Sequence, residues 1–130
     1  MLSRKPQSVW VRGERAAERY LKRNGFKSIA RNLRLPMGEI DLLCLEKHSG
    51  TIVIVEVKAR DYAPDAKRRI DPIASITQKK QAKLRTLARG IKQMPAYADR
   101  PIRIDAVSVR FMPGQRTPEI THYPGCVGDS

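Results

Sequence analysis

The chain has 130 residues, 26 Lys and Arg against 13 Asp and Glu, and a formal net charge of +13. That length fits one domain around one core, and 41% hydrophobic residues favour folding over disorder. The charge favours a polyanionic partner, most often nucleic acid, and no basic amphipathic helix argues for an acidic membrane surface instead. Residues 1–7 lack the apolar stretch of a signal peptide, and no apolar run reaches the length of a membrane span. Cys44, Cys126, His48 and His122 are too scattered to suggest a zinc site, and Cys44 reads as a small hydrophobe in a strand. The expectation is a soluble cytoplasmic protein, without membrane association. A homodimer is compatible with the chain but not specified by it.

Residues 8–24 read as a helix, with Ser8 to cap its start and Asn24-Gly25 to stop it. At about 100° per residue, Trp10, Ala17 and Leu21 form one apolar stripe. Glu14 lies on that stripe, where the helix alone suggests a carboxylate at its edge reaching water or an arginine; Glu18 lies further round. Residues 28–35 read as a short strand bounded by Pro36-Met37-Gly38.

Two strand-like runs follow, Gly38-Glu39-Ile40-Asp41-Leu42-Leu43-Cys44-Leu45 and Ile52-Val53-Ile54-Val55-Glu56-Val57-Lys58. Each carries acids where strands usually hold apolar or neutral residues. A hairpin with a loop over residues 47–50 pairs Glu46 with Thr51, Leu45 with Ile52, Leu43 with Ile54, Asp41 with Glu56 and Glu39 with Lys58. Period-two alternation then puts Asp41, Glu56, Lys58 and Glu39 on one face, and a slip of one residue would separate them. Facing carboxylates repel unless something positive lies between them, and a divalent cation is the natural candidate.

Residues 60–72 read as a mobile basic loop holding Pro64 and Lys67-Arg68-Arg69. A second helix starts between Asp71-Pro72 and Thr77, each a plausible cap, and runs to about Gln93 with the stripe Ile76, Leu84, Leu87, Ile91. Lys80 falls within that stripe, so it either points toward the sheet or snorkels to solvent. Residues 102–109 alternate as a further strand, residues 119–123 form a last short one, and residues 124–130 read as a flexible tail. The order of helix, three strands, helix and strand indicates an α/β sandwich, with helices against a mixed sheet over a core at residues 8–110.

Gly13-Glu14, Glu18, Tyr20-Leu21, Gly25-Phe26, Arg31-Asn32-Leu33-Arg34, Gly38-Glu39-Ile40-Asp41-Leu42, Val55-Glu56-Val57-Lys58 with Arg60, and Lys80-Gln81 together resemble the bacterial YraN-like family over residues 12–107. That family is similar to restriction-endonuclease-like nucleases and archaeal Holliday-junction resolvases. The resemblance implies a restriction-endonuclease-like α/β fold, a mixed central sheet flanked by helices. It also implies a PD-(D/E)xK-type site in which Asp41, Glu56 and Lys58 take the acid and acid-x-lysine places and Glu14 the helix acid. The implied activity is Mg²⁺- or Mn²⁺-dependent hydrolysis of phosphodiesters in DNA, including branched or structured DNA. Asp41, Glu56 and the Val57 carbonyl would hold the cation, and Glu14 would bind through water or at a second position. Lys58 would orient the attacking water or offset phosphate charge, Lys80 would add a second positive group, and Glu39 and Gln81 would support them. Arg60, Lys67, Arg68, Arg69, Lys79, Lys83, Arg85 and Arg89 would contact nucleic acid. The alternatives are a nucleic-acid-binding protein of the same fold without cleavage, its acids holding a structural ion, and a basic assembly factor. The chain departs from the family in having no glycine in residues 61–71.

Overall fold

The computed structural model describes residues 8–65 and 71–128. Helix α1 (Val9–Arg23) begins where expected, with the Val11 N–H donating to Ser8 Oγ, and ends at Asn24. Its buried face is Gly13, Glu14, Ala16, Ala17 and Leu21. Trp10 is 47% exposed, so the apolar stripe begins about one turn later than periodicity suggested. Small residues explain the shift: Gly13 lies against Ala59, and a Cβ there would collide with the Ala59 Cβ.

A five-stranded sheet follows in the order β1 (Phe26–Leu35), β2 (Gly38–Glu46), β3 (Thr51–Asp61), β4 (Ile102–Phe111), β5 (Glu119–Tyr123). Its neighbours are antiparallel except β3 and β4, which run parallel. A parallel pair needs a crossover, supplied here by a 3-10 turn (Pro72–Ser75) and helix α2 (Gln78–Lys92). Both expected caps are used. Asp71 accepts the Ile73 N–H to start the 3-10 turn, and Thr77 accepts the Lys80 N–H to start α2.

The two helices take opposite faces of the sheet. Ala16, Ala17 and Leu21 pack with Phe26, Leu42, Cys44, Val53, Val55, Val57, Val107 and Val109. Leu84, Leu87 and Ile91 pack with Ile40, Leu43, Ile52, Ile54 and Ile104. Strands β3 and β4 are therefore buried on both sides and read as continuous apolar runs. The protein is α/β, a mixed central sheet between helices. No helix among the described residues is long and apolar enough to cross a membrane.

Three boundaries differ from expectation. Strand β1 starts at Phe26. Strand β3 continues to Asp61, paired with Phe111, so Arg60 and Asp61 belong to the sheet rather than to the loop. The segment after β5 is anchored: Gly125 N–H donates to Asp105 and Val127 is buried in the α2-side core. Lys67, Arg68 and Arg69 lie outside the described residues.

The close approach at Gly13 yields a test. Alanine normally favours a helix over glycine by about 1 kcal/mol. Here Gly13→Ala is expected to destabilise by about 1–2 kcal/mol, because overpacking outweighs propensity. Urea unfolding should show the loss, and adding Ala59→Gly should recover part of it.

Candidate functional site

The hairpin register is the expected one from Glu46↔Thr51 through Leu45↔Ile52 and Leu43↔Ile54 to Leu42↔Val55, where the ladder stops. Asp41 and Glu56 are not backbone partners, and neither are Glu39 and Lys58. The reason lies in each strand's other neighbour. Strand β2 stays with β1 as far as Leu35↔Gly38, while β3 stays with β4 as far as Asp61↔Phe111. The two strands are drawn apart, and a wedge opens between them. Asp41 fills its apex: the Val57 N–H donates to Asp41 Oδ2 at 2.9 Å, replacing the missing ladder bond.

Three acids from three elements lie around this wedge, within electrostatic reach of one another. The Asp41 and Glu56 carboxyls lie close enough to act directly on one another. Glu14 on α1 and Glu56 on β3 are buried, at 3% and 6% exposure. Both have an Oε2 atom without a hydrogen-bond partner. Lys80 Nζ lies 3.0 Å from Glu56 Oε2, an ion pair that lacks the alignment of a hydrogen bond. Burial and the nearby Glu56 carboxyl push the Asp41 carboxyl up to about 8, against the opposing pull of the Val57 N–H. Burial also raises Glu14, helped by Glu39 and Glu56 and opposed by Asn32 and Arg31. Glu14 is thus a buried member of the cluster, not an edge residue reaching water. Among the described residues no three Asp, Glu, His or Cys side chains converge as a ready cation cage.

The other predicted residues divide. Lys58 is half-buried on the same face of β3 as Glu56, with Ser108 beside it in the register. Lys80 points toward the sheet. Glu39 pairs with Arg34 at 3.6 Å rather than with Lys58, because the diverging β2 carries it toward β1. The Gln81 side chain approaches the Ile76 carbonyl at 3.5 Å instead of the acids. Lys79, Lys80 and Lys83 line one patch of α2, and Lys83 lies against Gly38 at the start of β2. Arg85 and Arg89 are on a different part of the helix, around a pocket of about 260 Å³ shared with Lys92 and Arg103. Arg60 is exposed near the end of β3.

A second buried acid escaped the sequence reading. Asp105 on β4 is fully buried. It accepts from Arg103 at 2.7 and 3.0 Å and from the Gly125 N–H at 2.9 Å, and it pairs with His122 Nε2 at 2.7 Å. Burial pushes its carboxyl up, but the bonds from His122, Arg103 and Gly125 outweigh it and hold the group below the usual range. Arg103 also reaches Glu46. His122 is therefore not isolated. The signal was present: Asp105 interrupts an apolar strand just as Asp41 and Glu56 do.

The raised Asp41 carboxyl links stability to pH. Its folded value of about 8 lies above the ordinary 3.8, so the folded state binds a proton the unfolded state has released. Stability from this group is full below pH 3.8 and declines as pH rises toward about 8. Asp41→Asn removes that decline. Thermal unfolding in EDTA should show the variant level with wild type near the lower value and several degrees more stable at the upper one, as about 1 kcal/mol moves the midpoint of a domain this size by roughly 3–6 °C.

Comparison with known proteins gives the chain its relatives. It is 39% identical over 113 residues to a UPF0102 protein of Renibacterium salmoninarum, covering 87% of this chain and 90% of that one. It is 38% identical over 104 residues to a UPF0102 protein of Desulfosudis oleivorans, covering 80% of each. Among solved structures it is similar to a repair endonuclease from Pyrococcus abyssi, at a TM-score of 0.44 and 15% identity, over 80% of this chain and 38% of that one; a likeness of that extent carries no argument about chemistry. The family model described as "Uncharacterised protein family UPF0102" matches residues 13–109, three quarters of the chain, and the chain belongs to that family.

Proposed function

We propose that this protein is a divalent-cation-dependent nuclease that hydrolyses phosphodiester bonds in DNA, branched or structured DNA included. The observation that carries the reading is the wedge between β2 and β3, where Asp41 and Glu56 act directly on one another and Glu14 is buried nearby. Burying carboxylates is costly unless they are paired or coordinate a metal, and two of these acids hold an oxygen atom with no hydrogen-bond partner. A set of hard oxygen donors suits Mg²⁺ or Mn²⁺. Asp41, Glu56 and the Val57 carbonyl would hold the ion, with Glu14 reaching it through water. When bound, such an ion lowers the pKa of a water and polarises a phosphoryl oxygen.

The chain's own residues do the rest. Lys80 offsets the charge of Glu56, which lets a phosphate approach a cluster of acids. Lys58, one side chain further along the same face, orients the attacking water or meets charge developing on the phosphate. Lys79 and Lys83, beside Lys80 on α2, and exposed Arg60 contact the backbone without reading sequence. One observation favours a second reading, nucleic-acid binding without cleavage: Lys80 already supplies Glu56 with the positive charge a cation would bring.

Cleavage of branched, single-stranded and duplex DNA with Mg²⁺ or Mn²⁺ decides between them. Asp41→Asn and Glu56→Gln should each abolish cleavage while leaving DNA affinity unchanged or slightly higher. Lys58→Met should stop cleavage but leave metal binding measurable by calorimetry. Glu14→Gln should reduce activity less if it acts through water. A wild type that cleaves nothing and binds no metal that the Asp41 and Glu56 changes remove makes the binding protein the better account.

A further inference from the structure

On the side of α1 turned away from Glu14, the helix faces the connection between β4 and β5 across a groove. Two pockets of about 370 and 320 Å³ make it up, and Arg19 and Pro118 line both. Arg12, Arg15, Arg19 and Arg23 border the groove from α1. Their spacing of three or four residues sets them in one row, about 16 Å long at 1.5 Å per residue. Arg116 faces the row from the β4–β5 connection.

One end of the row is fixed. The Arg12 guanidinium lies 4.2 Å from the centre of the Phe111 ring and 3.8 Å from Asp61. Among the described residues Asp61 is the one acid lining either pocket. Among the described residues Arg15, Arg19, Arg23 and Arg116 form no ion pair. Five arginines against one aspartate leave four positive charges uncompensated in one concavity. Like charges at helical neighbours destabilise a helix, and beyond Arg12 no ion pair among the described residues offsets that cost along the row. Guanidinium groups present a planar fork that matches phosphate oxygens. Phosphates of one DNA strand recur about every 3.4 Å along a duplex axis, so the row spans several of them.

We infer that this groove is a second nucleic-acid contact, which holds the phosphate backbone of a DNA strand on the side of α1 opposite the acid cluster. The inference rests on nucleic acid being the partner, but not on cleavage. The strand held here is not the one at the acids, since α1 stands between them. The nucleic acid is thereby gripped on both sides of α1, which suits DNA that bends or branches around the helix.

Fluorescence anisotropy with labelled single-stranded DNA, in EDTA and over a series of NaCl concentrations, tests this without reading cleavage. Arg15→Gln/Arg19→Gln/Arg116→Gln should weaken binding at low salt at least about tenfold. It should also flatten the plot of log affinity against log salt by about 2, at roughly 0.7 for each single-strand phosphate no longer neutralised. Arg15→Lys/Arg19→Lys/Arg116→Lys keeps the charge and should restore most of the slope, which separates an effect of charge from a failure to fold. Lys22→Gln/Lys27→Gln/Lys47→Gln removes the same number of charges outside the groove and should leave the slope near that of wild type. If the groove variant matches wild type, or the two glutamine variants fall equally, the groove assignment fails while nucleic-acid binding stands. A wild type that binds no DNA at low salt overturns both.

Discussion

One hydrogen bond, from the Val57 N–H to Asp41 Oδ2 at 2.9 Å, bridges β2 and β3 where the two strands part. A buried amide must find an acceptor. Here the ladder has ended and a side chain takes the place of a backbone carbonyl. That substitution fixes Asp41 at the apex of the wedge and brings it against Glu56. It opposes the rise in the Asp41 carboxyl, but burial and Glu56 together prevail. The strain of the site is therefore electrostatic: the backbone is satisfied, and the carboxylates are not.

The two buried acidic centres of the sheet show what satisfaction means. Asp105 is as deeply buried as any residue in the protein, yet Arg103, His122 and the Gly125 N–H occupy its oxygens. Its carboxyl consequently stays below the ordinary range. That is the pattern of a structural anchor, tying β4 to β5 and to the segment that follows. The wedge is the opposite case. Glu14 and Glu56 each retain an oxygen without a hydrogen bond, that of Glu56 facing Lys80, and Glu14 and Asp41 are pushed upward. Similar residues are fully hydrogen-bonded at one place, while at the other two oxygens lack a hydrogen bond and Lys80 alone supplies positive charge, to Glu56. This contrast is the physical basis for proposing chemistry at the wedge and for reading Asp105 as architecture.

Positive charge is also arranged rather than spread. On α2 the lysines near the start face the wedge, with Lys80 on Glu56 and Lys83 against Gly38. Arg85 and Arg89 surround a pocket further along the helix. On α1 the arginines form a row facing away from Glu14. Both helices thus direct one face to the core and a basic face outward. The net charge of +13 is thus gathered on distinct surfaces of the two helices.

Local information settled much of this protein. Ser8 and Asn24 bounded α1, the four-residue loop fixed the hairpin register, and alternation placed Leu43 and Ile54 on one face, which the structure packs against α2. Each follows from interactions close in sequence, through capping, turn length and the period of the strand. The unusual acids at 41 and 56 were likewise visible, because charge in an apolar strand stands out wherever it occurs. Tertiary structure alone decided how those acids meet. A strand with two neighbours can follow only one when they diverge, and no local pattern says where β2 will leave β3 for β1. That choice broke the expected Glu39–Lys58 pairing and sent Glu39 to Arg34. It also let the Asp41 side chain take the place of a ladder bond. Burial of Glu14, the exposure of Trp10 and the partnership of Asp105 with His122 were decided in the same way. Each depends on which surfaces remote segments bring together, and periodicity along one element carries no information about that.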